Sequence, residues 1–213
     1  MSFSLPRFYA IIDRAKTGER SMLEVCEVLL GAGVSLIQYR DKRASSRALF
    51  EHSQVLAERT RSAGRIFIVN DRADVAAAAG AHGVHVGQQD LPVESARRIL
   101  GPEAIVGYST HDLAQLAAAD NLTADYVAYG PIFPTRSKES PDPVVGLDGL
   151  RAARQATHKP LVAIGGITLE TAGAVLEAGA DSVAVISDLL SAPDLAARAR
   201  EFLQVVGENR PAK

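Results

Sequence analysis

The segment IFIVNDRADVAAAAGAHGVHVG, residues 66–87, contains two β-rich runs separated by a short alanine-rich helical pattern. The runs Ile66–Asn70 and Gly83–Gly87 are apolar and β-branched, which is typical of strands that are buried on both faces. The pattern Asp74–Ala79 between them is the weakest helical segment of the chain. A strand, a helix and a second strand in this order predict a parallel βαβ unit with a right-handed crossover.

The same alternation continues from this segment toward both ends of the chain. Six further runs are predicted strands: Phe8–Ile12, Leu36–Arg40, Ile105–Ser109, Tyr126–Gly130, Leu161–Gly165 and Ser182–Ser187. The other predicted helices are Ser21–Ala32, Ser45–Ala63, Val93–Leu100, Leu113–Asp120, Leu147–Thr157, Thr168–Ala178 and Ala192–Val206. This order favours an α/β fold, a single-domain (β/α)₈ TIM barrel over residues 1–213. An open doubly wound sheet is the rival, but no G-x-G-x-x-G turn follows the first strand.

Composition and charge narrow the classes of partner. A net charge of −2 gives no general attraction to nucleic acid or to an anionic membrane surface. No apolar run approaches the roughly 18 residues of a membrane span, and the first residues lack the pattern of a secretory signal. We therefore expect a cytoplasmic protein without nucleic-acid or membrane partners. Cys26 is the single cysteine, which excludes an intrachain disulfide and a thiol-rich metal site.

In a (β/α)₈ barrel, the active site lies where the strands end and the βα loops begin. The predicted strand ends combine cations, carboxylates, hydroxyls and glycines. The candidate site residues at these ends are Gln38, Tyr39, Arg40, Asp41, Lys42, Asn70, Asp71, Asp90, Ser109, Thr135, Arg136, Ser137, Lys138, Gly166, Ile186 and Ser187. All of these residues should face one rim of the barrel. The combination of cations, carboxylates, hydroxyls and glycines at that rim indicates a site for phosphorylated ligands.

The cations of this rim are candidate phosphate contacts. Arg40, Lys42 and Lys138 can bind phosphate oxygens, although solvated loop charges are the alternative interpretation. Arg40 ends an apolar strand, where a charged side chain requires a partner. Lys138 lies in the proline-rich segment Pro131–Gly146, and such a long irregular loop in a compact domain is typical of a lid or binding loop.

Two carboxylates are candidate metal ligands. Asp71 and Asp90 follow the third and fourth predicted strands, which are neighbours in a barrel. Paired carboxylate oxygens together with substrate phosphates are the usual ligands of Mg²⁺. The alternatives are a helix N-cap for Asp71 and a turn residue for Asp90. Asn70 beside Asp71 at a strand end favours the site.

The last two strand ends form a candidate monophosphate site. Gly165 and Gly166 precede Thr168 and a helix, while the final strand ends at Ile186 and Ser187. Phosphate sites made by the loops after strands seven and eight recur in this fold, and a tight turn that requires glycine is the alternative. His111, beside Ser109, is either an acid–base group or a polar residue at a helix start.

Seven segments in this order carry a resemblance to a known family. They are QYRDK (Gln38–Lys42), FIVNDRADVA (Phe67–Ala76), GVHVGQQDL (Gly83–Leu91), GYSTH (Gly107–His111), YGPIFPTRSK (Tyr129–Lys138), VAIGGI (Val162–Ile167) and AVIS (Ala184–Ser187). Together they make the chain resemble the thiamine-phosphate synthase family over about residues 8–206. The resemblance implies a transferase that joins 4-amino-2-methyl-5-pyrimidinylmethyl diphosphate to a thiazole phosphate or its carboxylated form. The products would be thiamine phosphate and diphosphate, together with CO₂ when the thiazole partner is the carboxylated form.

The resemblance also implies roles for individual residues. The residues that resemble the contacts of the pyrimidine diphosphate are Gln38, Arg40, Lys42, Asn70 and Lys138, with Ser109 beside that substrate. Asp71 and Asp90 match the ligands of a Mg²⁺ cofactor. The residues that match the thiazole-phosphate site are Thr135, Ser137, Gly166, Ile186 and Ser187. Tyr39, Asp41 and Arg136 adjoin these positions and complete the predicted substrate-binding set, in which Arg40, Ser109 and Lys138 are the catalytic candidates.

The sequence leaves two alternatives to the synthase function. A related thiazole tautomerase uses the same kind of barrel, but its pattern lacks the metal carboxylates and places a histidine where this chain has Pro131. A non-catalytic phosphate-ligand sensor is the second alternative, because a fold does not fix a function. The sequence allows a homo-oligomer without requiring one.

Overall fold

Eight parallel strands form a closed barrel in sequence order, and the first strand pairs with the last. The computed structural model describes residues 3–135 and 142–208. The strands are β1 Phe8–Asp13, β2 Leu36–Arg40, β3 Ile66–Asn70, β4 Gly83–Val86, β5 Ile105–Thr110, β6 Tyr126–Tyr129, β7 Leu161–Ala163 and β8 Ser182–Val185. The predicted (β/α)₈ barrel is confirmed.

Helices follow the strands and cover the outside of the barrel. They are α1 Met22–Ala32, α2 Ser46–Ser62, α3 Ala73–Ala79, α4 Val93–Leu100, α5 Leu113–Ala119, α6 Gly146–Ala156, α7 Leu169–Glu177, α8 Ser187–Leu190 and α9 Leu195–Val206, with a 3₁₀ turn at Arg14–Lys16. Within residues 3–135 and 142–208, no helix combines the length and the apolar character that crossing a bilayer requires.

The predicted boundaries were wrong at the last two strands. β7 ends at Ala163 because Gly165 and Gly166 adopt φ values of 89° and 67°, which no strand accommodates. β8 ends at Val185, and the chain turns into the short helix α8, which the sequence analysis did not predict. Helix α9 begins after Asp194, whose side chain accepts a hydrogen bond from the Ala197 N–H at 2.8 Å.

Alternation along the strands divides the apolar core into two layers. Inward side chains such as Tyr9, Leu36, Ile68 and Tyr126 fill the barrel interior. Outward side chains pack against the helices, and the Phe8 ring stacks on a phenylalanine of α9 with ring centroids 5.0 Å apart. The residues that continue the inward pattern to the strand ends therefore reach the mouth of the barrel.

At the opposite, N-terminal end of the barrel, two aspartates make the same pair of contacts with a strand and a helix. Asp125, just before β6, accepts hydrogen bonds from the Val106 N–H of β5 at 2.7 Å and from Arg97 of α4 at 2.6 Å. Asp181, just before β8, does the same with the Leu161 N–H of β7 and with Arg154 of α6, both at 2.8 Å. These aspartates stabilise strand pairing at the end of the barrel that lies away from the C-terminal mouth.

Candidate active site

The C-terminal ends of the strands surround one cavity of about 1980 Å³. Most of the predicted site residues that the structure describes line it: Gln38, Arg40, Asp41, Lys42, Asn70, Asp71, Asp90, Ser109, Thr135, Gly166, Ile186 and Ser187. Ligand sites commonly enclose about 300–1,000 Å³, so this cavity has room for two small substrates together. The predicted residues Arg136, Ser137 and Lys138 lie outside the described residues.

Tyr39 differs from the other predicted residues that the structure describes, because it does not line the cavity. Its side chain is fully buried on the outer face of β2, in the layer between the barrel and the helices. The hydroxyl lies 3.0 Å from His52 Nδ1 of α2 and 3.3 Å from a carboxylate oxygen of Asp41. Side chains alternate along a strand, so Tyr39 points away when Gln38 and Arg40 point in. The structure therefore gives Tyr39 a supporting position behind Asp41.

Arg40 has the buried partner that its position requires. Its guanidinium forms an ion pair with Asp13, which is 2% exposed and ends the neighbouring strand β1. Asp13 is paired with Arg40 in the β1–β2 register, and its other carboxylate oxygen accepts the Ala15 N–H at 3.0 Å. This arrangement fixes the orientation of the guanidinium, which lines the cavity. The sequence analysis missed Asp13, although its place at the end of FYAIID was a usable signal.

The two predicted metal ligands face the cavity from β3 and β4. Asp71 has a φ of 65°, which is uncommon for any residue except glycine, and its N–H donates to the His85 carbonyl at 2.7 Å. Its carboxylate forms an ion pair with Lys42. Asp71 does not cap α3, because Arg72 occupies the N-cap position. Such a backbone conformation is concentrated at functional sites.

Asp90 completes the carboxylate pair. It accepts the Gly87 N–H at 2.7 Å, so it has the predicted turn contact and lines the cavity as well. Burial raises the pKa of Asp90 above its ordinary value, and the neighbouring Asp71 carboxylate adds to that increase, whereas the Gly87 N–H opposes it. Asp71 and Asp90 thus line the same cavity and follow the neighbouring strands β3 and β4.

The donor chemistry of this pair fits a hard divalent cation. Across residues 3–135 and 142–208, no three His, Cys, Asp or Glu side chains converge in the manner of a complete protein-made metal site. Mg²⁺ is commonly held by one or two carboxylates, with water and substrate phosphates as the remaining ligands. Asp71 and Asp90 therefore suit Mg²⁺ that is bound together with a phosphorylated substrate.

A hydrogen-bonded network crosses the barrel interior beneath the cavity. Gln38 Nε2 donates to the Tyr9 hydroxyl at 2.7 Å, and the Tyr9 and Tyr126 hydroxyls are 2.9 Å apart. The Tyr126 hydroxyl lies 3.0 Å from His85 Nδ1, and His85 Nε2 lies 2.8 Å from Ser109 Oγ. The network thus joins two predicted substrate contacts, Gln38 and Ser109, through three residues that the sequence analysis did not assign.

Burial keeps the middle of this network uncharged. It lowers the pKa of His85 to about 4 and raises the pKa of Tyr126 well above its ordinary value. Tyr9, Tyr126 and His85 all occupy inward positions of their strands. The alternation of side chains along each strand was the available sequence signal. The sequence did not show which of the two alternating sets faces the barrel interior, and the strand register of the closed barrel does.

The loops after β7 and β8 form the opposite wall of the cavity. A Cβ atom at Gly166 would lie 2.5 Å from the Pro134 carbonyl oxygen, so the loop after β6 packs directly on this glycine. Asp188 accepts the Leu169 N–H at 3.3 Å and forms an ion pair with Arg198 at 2.7 Å. These contacts join the loop of Ser187 to the start of α7.

His111 also lines the cavity. Its Nδ1 donates to the Gly130 carbonyl at 2.7 Å and lies 3.5 Å from Asp142. Asp112, the next residue, is the N-cap of α5 and accepts the Gln115 N–H at 2.8 Å. The predicted helix-start role therefore belongs to Asp112, and His111 links the end of β5 to the loop after β6.

A family model described as thiamine monophosphate synthase matches residues 8–189. The chain belongs to the thiamine monophosphate synthase family. The family's matched region includes every strand of the barrel and all the described strand ends that line the cavity. The resemblance carried by the seven sequence segments is thereby confirmed.

Individual members of the thiamine monophosphate synthase family match over nearly the whole chain. A thiamine-phosphate synthase of Koribacter versatilis is 53% identical over 206 residues, which are 95% of this chain and 96% of that protein. The thiamine-phosphate synthase of Moorella thermoacetica is 46% identical over 204 residues, with the same coverage. The solved structure of a thiamine phosphate pyrophosphorylase from Pyrococcus furiosus superimposes with a TM-score of 0.86 at 37% identity, covering 95% of this chain and 96% of that one.

Proposed function

We propose that the chain is a transferase that joins 4-amino-2-methyl-5-pyrimidinylmethyl diphosphate to a thiazole phosphate, giving thiamine phosphate and diphosphate. One observation carries this proposal beyond family membership. A single cavity has cations and paired carboxylates on the wall from β2 to β4, and a glycine-rich wall at β7 and β8. These walls suit a diphosphate and a monophosphate, respectively.

Departure of diphosphate requires positive charge near its oxygens. The bond between the pyrimidinylmethyl carbon and the diphosphate oxygen breaks, and the oxygen keeps the electron pair. The electron-rich ring stabilises the cation that develops on carbon, and the thiazole nitrogen then forms the new bond. Arg40 is oriented by its buried partner Asp13 and can bind the leaving oxygens without reorganisation. Lys42 adds a second cation beside Asp71.

Asp71 and Asp90 would hold Mg²⁺, and the metal would supply further charge neutralisation at the departing diphosphate when bound. In its absence the same two carboxylates repel a diphosphate, and Lys42 compensates for only part of their charge. Binding of metal and binding of diphosphate should therefore depend on each other.

The thiazole phosphate would bind at the loops after β7 and β8. Gly166, Ile186 and Ser187 line this part of the cavity together with Thr168. Backbone amides and hydroxyl groups can hold a monophosphate without a metal. Thr135 lies between the two walls on the loop after β6. Ser137 is proposed to belong to the thiazole-phosphate site. Lys138, with Arg136 beside it in the sequence, is proposed to contact the departing diphosphate.

The two alternative functions are not favoured. A tautomerase would have no use for Asp71 and Asp90, and the curated relatives that match nearly the whole chain are named as synthases. A non-catalytic sensor would not need a carboxylate pair beside the phosphate-binding cations. A cytoplasmic location and assembly into a homo-oligomer are further proposals that rest on the sequence.

The deciding experiment combines the purified protein with both substrates and Mg²⁺ and measures diphosphate and thiamine phosphate. We expect equimolar products only when both substrates and the metal are present. Omitting either substrate is the control. Binding of both compounds without turnover would identify a sensor, and a change in the thiazole compound alone would identify a tautomerase.

A further inference from the structure

The network that crosses the barrel interior has a direction as well as a path. It runs from Gln38 through Tyr9, Tyr126 and His85 to Ser109, with distances of 2.7, 2.9, 3.0 and 2.8 Å. We call these five residues the interior network. Gln38, Tyr9, His85 and Ser109 all line the cavity, whereas Tyr126 does not. Tyr9 and Tyr126 are buried to within 1% of their surface, so the middle of the interior network cannot rearrange freely.

One order of donors places every tyrosine proton of the interior network in a hydrogen bond. Gln38 Nε2 donates to the Tyr9 oxygen, so the single Tyr9 proton is available for the Tyr126 oxygen. In this order the Tyr126 proton points to His85 Nδ1, which accepts it, whereas the other tautomer of His85 would make Nδ1 the donor. A neutral imidazole with an accepting Nδ1 carries its proton on Nε2 and donates it to Ser109 Oγ.

This order determines what each end offers to a ligand. The Gln38 amide nitrogen directs one of its two hydrogens to Tyr9, which fixes the orientation of the amide and leaves its carbonyl oxygen as an acceptor for the cavity. Ser109 Oγ accepts from His85, so the Ser109 proton remains as a donor. If the Ser109 end reversed while Gln38 kept donating, the Tyr9 proton would be left without an acceptor in the interior network, and a buried unpaired donor is unfavourable.

We propose that Tyr9, Tyr126 and His85 are positioning residues that make Gln38 an acceptor and Ser109 a donor, and that this polarity selects a 4-aminopyrimidine over a 4-oxopyrimidine. The substrate identity in this inference rests on the proposed function. A 4-aminopyrimidine offers an exocyclic N–H donor and ring-nitrogen acceptors. The lactam form of a 4-oxopyrimidine has a carbonyl acceptor and an adjacent N–H donor, so the donor and the acceptor exchange places. A site that is built on fixed hydrogen bonds rejects such an exchange strongly.

The kinetic test compares 4-amino and 4-oxo pyrimidinylmethyl diphosphates through the ratio of their kcat/KM values. We expect Tyr126→Phe to reduce the preference for the amino substrate by about tenfold or more, because one buried hydrogen bond sets the polarity. Tyr9→Phe interrupts the interior network one step nearer to Gln38 and should act in the same direction, so it serves as a second variant if Tyr126→Phe does not fold.

Tyr129→Phe is the matched control. Tyr129 lies on the same strand as Tyr126, is similarly buried and packs in the outer layer of the core, away from the interior network. It loses the same hydroxyl but should keep the wild-type preference. An unchanged preference in both Tyr9→Phe and Tyr126→Phe, with wild-type protein active, would overturn the inference.

A spectroscopic test does not depend on turnover. ¹⁵N NMR of the histidine side chains reports which ring nitrogen carries the proton, and the His85 signals are assigned by their absence in His85→Gln. We expect the Nε2–H form of His85 in the wild-type protein. The Nδ1–H form would reverse the polarity and overturn the inference. Failure of the wild-type protein to form thiamine phosphate would instead reject the proposed function, and the substrate selection with it.

Discussion

At the scale of single residues, ion pairs between neighbouring strand ends organise the candidate active site. Arg40 extends into the cavity with Asp13 behind it, and Asp71 adopts a left-handed backbone conformation beside Lys42. The predicted strand ends gave the positions of Arg40 and Asp71, because polar residues that follow apolar strands are visible in the sequence. Asp13 was not predicted, since its importance depends on the β1–β2 register.

Asp13→Asn tests the support of Arg40. The change leaves the Arg40 guanidinium, whose side chain is 18% exposed, without its ionised partner. Breaking a fully buried pair typically costs about 3–5 kcal/mol, so we expect a smaller loss here. We expect a clearly lower thermal midpoint and at least about a tenfold decrease in kcat/KM, because the cation is no longer fixed. Thermal unfolding and steady-state kinetics measure the two effects. Asp148→Asn, which removes an exposed pair with Arg151, is the control and should change neither. Equal behaviour of the two variants would contradict the role of Asp13.

Asp71→Ala tests the metal proposal. Turnover should fall by at least about a hundredfold, because the departing diphosphate loses the charge that the metal supplies. Binding of the thiazole phosphate alone should change little, since its proposed site lies at β7 and β8. Isothermal titration with each substrate, with and without Mg²⁺, separates the two sites. Full activity of Asp71→Ala in the presence of a chelator would reject the metal site.

His82 gives the fold a dependence on pH. Burial, with the nearby Arg61, lowers the pKa of His82, and its Nδ1 accepts the Phe67 N–H at 3.1 Å. The unfolded chain therefore takes up a proton at a higher pH than the folded chain. The stabilisation is present above the unfolded pKa of about 6.5 and is lost as the pH falls below it. We expect the free energy of unfolding of wild type, minus that of His82→Asn, to shrink between about pH 7.5 and pH 5.5. A constant difference in urea titrations would contradict this assignment.

At the scale of elements, the two ends of the barrel have different tasks. At the N-terminal end, Asp125 and Asp181 each connect a strand to the preceding strand by a hydrogen bond and to a helix by an ion pair; we call these contacts the aspartate clamps. The C-terminal end carries the proposed chemistry.

Helix α8 was not predicted because its four residues are too few for a periodic pattern. Gly166 was predicted to let a phosphate approach, and the structure adds the packing of Pro134 as a second reason for glycine.

Asp125→Asn and Asp181→Asn test the separation of these tasks. Each change weakens an ion pair with an arginine and the acceptor of a strand N–H, so we expect a loss of roughly 1–3 kcal/mol in stability for each. KM for both substrates should stay near the wild-type value at temperatures where the variants are folded. Chemical denaturation and steady-state kinetics provide the measurements. A large rise in KM without loss of stability would show that the clamps reach the active site.

At the scale of the whole molecule, the sequence predicted the barrel because each strand and helix carries its own local pattern. It also predicted the rim, since every parallel strand points its C-terminal end to the same side. The interior network could not be predicted from the sequence, because Tyr9 and Tyr126 belong to distant strands and resemble ordinary aromatic residues of a core. Contacts between inward residues depend on closure and register, which only the folded barrel defines.

One cavity is proposed to bind diphosphate at the β2–β4 wall and a monophosphate at the β7–β8 wall. A crystal structure of the protein with thiamine phosphate, diphosphate and Mg²⁺ tests it most directly. We expect the diphosphate beside Arg40, with the metal between it and Asp71 and Asp90, and the phosphate of the product beside Gly166 and Ser187. Diphosphate at Gly166 and Ser187, with the product phosphate at Arg40, would contradict the account.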